Sequence, residues 1–337
     1  MDENQIKTLV DSVNNIRGNS QGWPACFEYG YNFSKKRCKI TFFQDFQKKN
    51  FRRVEPWGLA FMQNLEETSG DKIHEIVVRV NCGVFNPENP KTCKHSEHCK
   101  DFCLNVEALR RRVSFLALNN KGISFTLSVK GKELSLDSSV STLFNRPEDE
   151  IIRADYAVHG DKDKPGRLEK DFQTFLFGKG LNKDGDERTN ERLAILGKDF
   201  FNLNRKNYAL EREFPTGVFK KVKSAKTRVL PTEYIDIVTI NKYKFLSIIE
   251  LKLNDSQLEV ISQLLDYALF FRSYIGQLKP VLNERFGKKM KAGNIICYVA
   301  NNSYHPRFNS ILKYYSTENK GYGFELKRII LGETGNI

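Results

Sequence analysis

Hydrophobic periodicity separates a first half that is hard to read from a second half that is regular. Residues 234–240 and 245–253 are two runs rich in β-branched side chains, parted by the polar residues Asn241, Lys242, Tyr243 and Lys244. Such a pattern predicts a β-hairpin. A turn centred near Tyr243 sets Asp236 directly opposite Glu250, with Lys252 two residues further on, so all three side chains leave one face. A one-residue slip would send one of them to the other face. Upstream, Leu168, Phe172, Phe175 and Leu176 recur at helical spacing, and residues 208–214 read as a strand. Downstream, Ser256 and Glu259 form the pattern of a capping box, opening a helix whose apolar face (Leu258, Ile261, Leu265, Ala268, Leu269) runs to about Ile275. Residues 294–300 are almost wholly apolar, as a central strand is. A helix near 306–315 and a strand near 324–330 close the chain, so the order is α-β-β-β-α-β, then α and β.

The first half offers strands at 38–43 and 73–80, a helix over 106–118 and a hairpin turning at Lys130 and Gly131. These predict an N-terminal α+β module whose role the pattern does not state. A polar stretch at 145–166, punctuated by Pro and Gly, marks a boundary. The expected domains are residues 1–150 and 160–337, within an α/β chain overall.

Charge sharpens this division. The 337 residues carry a net charge of +13, and the excess is uneven. Residues 1–150 hold 22 Lys and Arg against 19 Asp and Glu, and the remainder hold 32 against 22. The half with the paired acids is therefore the basic half, which suits a phosphate polymer. Lys220, Lys221, Lys223, Lys226 and Arg228, a run without an acid between two strands, are candidate phosphate contacts, and Lys288, Lys289 and Lys291 form a second basic stretch. No apolar stretch is long enough to cross a bilayer and the first residues are polar and acidic. The expectation is a cytoplasmic protein without a membrane partner; self-association is left open.

Two carboxylates and an ammonium converging beside an apolar sheet are costly in a core. They are well suited to holding a hard divalent cation next to a water molecule. A surface ion pair of Asp236 with Lys252 is the plainer alternative. In this order of elements, Asp236 followed by Glu250-Leu251-Lys252 resembles the PD-(D/E)XK nuclease superfamily. Gln263 and Tyr267 on the following helix resemble the Gln-x-x-x-Tyr element of its RecB-like branch. The stretch opening at Leu168 is also similar, more weakly, to the nuclease domain of Shedu-type antiphage proteins. The name-giving Pro is absent from its position, and residues 1–150 lie outside the resemblance.

The resemblance implies a restriction-endonuclease-like core that hydrolyses DNA phosphodiesters with Mg²⁺ or Mn²⁺, in defence against foreign DNA, restriction or repair. It implies Asp236 and Glu250 as metal ligands, the Leu251 carbonyl as another, Lys252 beside the attacking water, and Glu169 on the first helix as an additional acid that binds the metal directly or through water, with Glu213 its rival. Gln263 and Tyr267 would contact phosphate or steady Glu250 and Lys252 from behind. An RNA-cleaving enzyme and a catalytically silent nucleic-acid-binding module of the same fold remain as alternatives.

Seven cysteines without a secretory signal are expected to be reduced. Cys82, Cys93, Cys99 and Cys103 crowd one stretch with His95 and His98, either of which can replace one thiolate. Soft ligands at this density make a candidate structural Zn²⁺ site in the N-terminal module.

Overall fold

The structure is a computed structural model, described here for residues 3–16, 23–43, 51–81, 97–136, 168–177, 193–200, 211–219, 228–286, 290–291, 294–315 and 323–332. It is an α/β protein with two mixed five-stranded sheets and a small two-stranded one. The chain forms two compact units, but not by a single cut. The first comprises residues 1–143 together with Gln257–Asp266 and Pro306–Ser316, and the second comprises the rest. A linear pattern separates the halves at a polar stretch; it cannot register two short segments that return to the first unit.

In the first unit, α1 (Glu3–Ile16) precedes the antiparallel pair β1 (Phe27–Asn32) and β2 (Arg37–Phe43). Helix α2 (Val54–Ser69) then carries the chain to β3 (Glu75–Asn81), and α3 (Glu97–Asn119) to β4 (Ser124–Val129). Strands β2, β3 and β4 are parallel neighbours, so both helices are crossovers. The unit is thus built on a parallel β-α-β-α-β centre, more ordered than the loose α+β module expected. A short β5 (Lys132–Glu133) returns antiparallel beside β4. Lys130 and Gly131 both take positive φ, 50° and 76°, which a two-residue hairpin of right-handed twist demands.

A buried ion network lies within this unit. Arg112 on α3 is 1% exposed and Glu55 on α2 is 2% exposed. The Arg112 guanidinium donates from Nε to Glu55 Oε1, from Nη1 to Asp266 Oδ2 at 2.8 Å, and from Nη2 to the Phe51 carbonyl at 2.8 Å. A rigid five-donor fork surrounded by three oxygen partners satisfies a buried charge that would otherwise be prohibitive.

In the second unit, α4 (Leu168–Phe177) is followed by two 3₁₀ turns, Ala194–Leu196 and Lys198–Phe200, then by β6 (Glu211–Pro215). A small hairpin, β7 (Val218–Phe219) with β8 (Arg228–Leu230), comes before β9 (Tyr234–Ile240) and β10 (Leu246–Lys252). Helix α5 (Glu259–Phe286), whose residues up to Asp266 belong to the first unit, leads to β11 (Ile295–Asn301), and β12 (Phe324–Ile330) follows α6 (Phe308–Leu312), itself a part of the first unit. The sheet order is β12-β11-β10-β9-β6. Strands β10, β11 and β12 are parallel, while β9 runs antiparallel to both its neighbours, β10 and β6. Every residue of β11 is buried, which explains its unbroken apolar sequence.

Helix α5 departs from its expected bounds at both ends. It starts at Glu259, not after Ser256, and it continues through Pro280 to Phe286. A start at Glu259 leaves Glu259 in the first helical position instead of the third, so the capping box does not form, and Glu259 Oε1 accepts from Arg53 Nε at 3.0 Å. Arg53 also donates to Gln257.

Candidate active site

The site begins with the turn between β9 and β10. Asn241 is buried, and its Oδ1 accepts the backbone N–H groups of Tyr243 at 3.0 Å and Phe245 at 3.1 Å. Lys244 takes a left-handed φ of 68°. This side-chain-to-backbone grip fixes the loop, and with it the register. The pairs Ile240–Leu246, Thr239–Ser247, Val238–Ile248 and Ile237–Ile249 follow. The next position in that register sets Asp236 against Glu250. Beyond Ile237 the Asp236 side chain takes over from the ladder: its Oδ2 accepts the Leu251 N–H at 2.8 Å.

Ile237, Ile249 and Leu251 turn into a core with Leu176, Leu193, Leu196, Phe200, Ile296, Tyr298 and Ala300, against which Phe172 of α4 packs. That packing seats α4, and two of its polar residues, Glu169 and Gln173, arrive beside the acids. Lys252 Nζ donates to Glu250 Oε1 at 2.8 Å, to the Leu251 carbonyl at 3.1 Å and to Glu169 Oε1 at 3.3 Å. Gln173 Nε2 lies 3.3 Å from the Asp236 carbonyl and 3.4 Å from Asp236 Oδ1.

The cluster grades from dry to wet. The Glu250 side chain is 3% exposed, Lys252 18% and Glu169 40%. Burial, and then the Glu250 carboxylate beside it, pushes Asp236 well above the ordinary carboxylate range. Burial also raises Glu169, and Lys252 only partly offsets this. For Lys252, burial pulls the other way, but Glu250, Asp236 and Glu169 outweigh it and hold the ammonium protonated. Three acids thus stand around one lysine.

That gathering of acids bears on whether a metal fits. Among the described residues no group of three or more His, Cys, Asp or Glu side chains is placed to hold an ion. Glu169 is drawn to Lys252 instead of completing such a group, and the Leu251 carbonyl also accepts from Lys252. Two carboxylates of hard oxygen, with waters filling the remaining positions, nevertheless match the habit of Mg²⁺. The donors present fit a cation bound by Asp236 and Glu250, with Glu169 outside its direct ligands.

The other expected residues fall as follows. Tyr267 on α5 is buried, and its hydroxyl donates to the Tyr234 carbonyl at 3.2 Å, two residues before Asp236. It therefore anchors the start of β9. Gln263 is half-buried on α5. Glu213 stands across from Asp236 in the β6–β9 register with a left-handed φ of 50°, while the charges acting on Asp236 come from Glu250, Lys252 and Glu169. Arg228 opens β8. Lys220, Lys221, Lys223 and Lys226, and Cys82, Cys93 and His95, lie outside the described residues, as do the side chains of His98 and Cys99. Cys103 is buried on α3 and forms no disulfide. No described helix is long and apolar enough to cross a membrane.

Gln173 was missed by sequence reasoning. Its signal was present: a polar residue within the apolar stripe of Phe172 and Leu176, one helical turn after Glu169.

No family model matches the chain, and no curated protein matches it. Among solved structures, the chain is similar to a repair endonuclease from Pyrococcus abyssi at 14% identity, over 46% of this chain and 49% of that one, with a TM-score of 0.21. The match spans about half of that enzyme's length, and at so low a score it carries no argument.

Proposed function

We propose that the second unit is a metal-dependent nuclease that hydrolyses DNA phosphodiester bonds, built on a PD-(D/E)XK-like core of the RecB-like branch. One observation carries the reading: Asp236, Glu250, Lys252 and Glu169 gather at the end of a sheet with more negative charge than their lysine balances. The positive net charge of the same part of the chain supports a phosphate polymer as substrate.

In this reading Asp236 and Glu250 hold Mg²⁺ or Mn²⁺. The ion, when bound, lowers the pKa of a coordinated water and offsets charge on the scissile phosphate. Asp236 is oriented for this by the Leu251 N–H, and Glu250 by Lys252. Lys252, held between Glu250 and Glu169, acts on the phosphate or on its attacking water. Glu169, the most exposed acid of the cluster, holds the lysine head in place from the opposite side. A role in defence, restriction or repair is part of the proposal and rests on the resemblance of motifs alone; structural Zn²⁺ in the first unit rests on the density of Cys and His between Cys82 and Cys103.

The test is a cleavage assay on plasmid DNA and on RNA with Mg²⁺, with Mn²⁺ and with EDTA. Metal-dependent cutting of DNA that disappears in folded Asp236→Ala, Glu250→Ala and Lys252→Ala proteins is the expected result. Binding without cutting in every metal would instead identify a silent binding module, and cutting of RNA alone would redirect the substrate.

A further inference from the structure

We infer that Gln173 is a positioning residue that holds the Asp236 carboxylate in the orientation the site uses. The inference rests on reading Asp236 as a working acid of the site. Gln173 is 5% exposed, so its amide is removed from water and needs protein partners. Its Nε2 faces the Asp236 carbonyl at 3.3 Å and Oδ1 at 3.4 Å. Both neighbours are acceptors, so only the NH₂ end of the amide satisfies them; the reversed amide would set oxygen against oxygen.

The geometry gives this amide a task beyond its own satisfaction. The torsion of an Asp carboxylate about its last bond is soft. One contact, the Leu251 N–H on Oδ2, leaves Oδ1 free to swing. The second contact, from Gln173, fixes the plane. The same amide ties α4 to the backbone of β9, the strand that carries Asp236. Glu169 lies on α4 one turn earlier, so the seating that brings Gln173 to Asp236 also brings Glu169 to Lys252. Apolar packing through Leu176 and Phe172 holds the helix on the sheet, but apolar contact is non-directional and does not set a carboxylate's angle. The directional part falls to Gln173.

The test uses the full chain with Gln173→Met, which keeps volume and removes both donors, and Gln173→Leu should the first variant not melt cooperatively. Two readouts are taken: Mn²⁺ affinity by titration calorimetry, and exchange of the Leu251 amide by NMR without added metal. The expected result is Mn²⁺ affinity weaker by at least about tenfold. The Leu251 amide, which donates to Asp236, exchanges severalfold faster, while the Ile248 and Val299 amides keep the rates of the unmodified protein. Unchanged Leu251 exchange together with unchanged Mn²⁺ affinity overturns the inference. If the unmodified protein takes no Mn²⁺ but the variant still frees the Leu251 amide, Gln173 stands as the holder of Asp236 and the metal reading of the site is what fails.

Discussion

Each unit sets a cation among acids, and the two clusters are built to opposite ends. In the first unit Arg112 meets Glu55, Asp266 and the Phe51 carbonyl through a planar fork, with the guanidinium and the Glu55 side chain each 1% exposed. In the second, Lys252 is a point charge among Glu250, Glu169 and the Leu251 carbonyl, with Asp236 close by. In the arginine cluster the guanidinium and Glu55 are dry, Asp266 is 20% exposed, and two acids face one cation. The lysine cluster opens toward solvent at Glu169 and keeps an excess of negative charge. A closed network fixes a fold; an open one with unbalanced acids costs stability and stays ready for a cation. The difference teaches that burial of charge by itself does not mark a site. Access and a larger surplus of acid do.

Breaking the closed cluster should have the largest effect. Arg112→Met leaves Glu55 buried without its partner and should cost about 3–5 kcal/mol. Both tryptophans, Trp23 and Trp57, lie in the first unit, so denaturant unfolding followed by their fluorescence reports on it. Replacing Glu55 and Arg112 together by apolar residues should restore most of that loss. A double variant as unstable as the single one would show that the network does more than neutralise itself.

The open cluster should respond in activity instead. Glu250→Gln and Lys252→Ala should each lower DNA cleavage by at least about a hundredfold while the tryptophan-reported transition stays in place. Metal should supply what the lysine cluster lacks. Mn²⁺ at a hundred times its dissociation constant should stabilise the second unit by about 2.7 kcal/mol. Cys297, buried on β11, is the thiol of that unit, so its labelling rate followed by mass spectrometry reads the change. Arg112→Met should leave the metal increment intact.

Smaller effects test the sign of the imbalance. Asp236→Asn should stabilise the second unit without metal by about 0.5–2 kcal/mol, at the expense of function. The pH dependence follows from the raised Asp236 value, caused first by burial and then by Glu250. A carboxyl raised on folding favours the folded state fully below its unfolded value near 3.9 and loses that benefit as pH climbs through the raised value. The gap between Asp236→Asn and the unmodified protein should therefore be absent in acid, open across that window and stay constant above it. Thermal melts over a pH series check this, and a gap that widens toward low pH would refute it. Smallest of all, Tyr267→Phe removes the bond to the Tyr234 carbonyl and should cost about 0.5–1.5 kcal/mol.

Particular residues show where sequence reading stops. The β9–β10 register was legible because two local facts fix it: a polar turn of known length and the alternation of side chains along a strand. The structure keeps the turn centre at Tyr243 through the Asn241 side chain. The capping box at Ser256 was a false lead: the helix starts at Glu259, whose carboxylate answers to Arg53 across a separation of 206 residues. The Arg112 network joins residues 57 and 154 positions apart, and no periodicity encodes such a meeting. Gln173 falls between these cases: its polarity within an apolar stripe was visible, its partner was not.

By itself the sequence determined the main strands and helices of the second half, and that Asp236, Glu250 and Lys252 share one face, since period and turn chemistry act over a few residues; α1, β1 and α2 went unread. Only the tertiary structure decided that Glu169 reaches Lys252, that Gln173 reaches Asp236, and that segments 257–266 and 306–316 fold with the first unit. Those choices are made by burial of apolar faces, which is non-directional and sums over the whole chain, so no local pattern carries them.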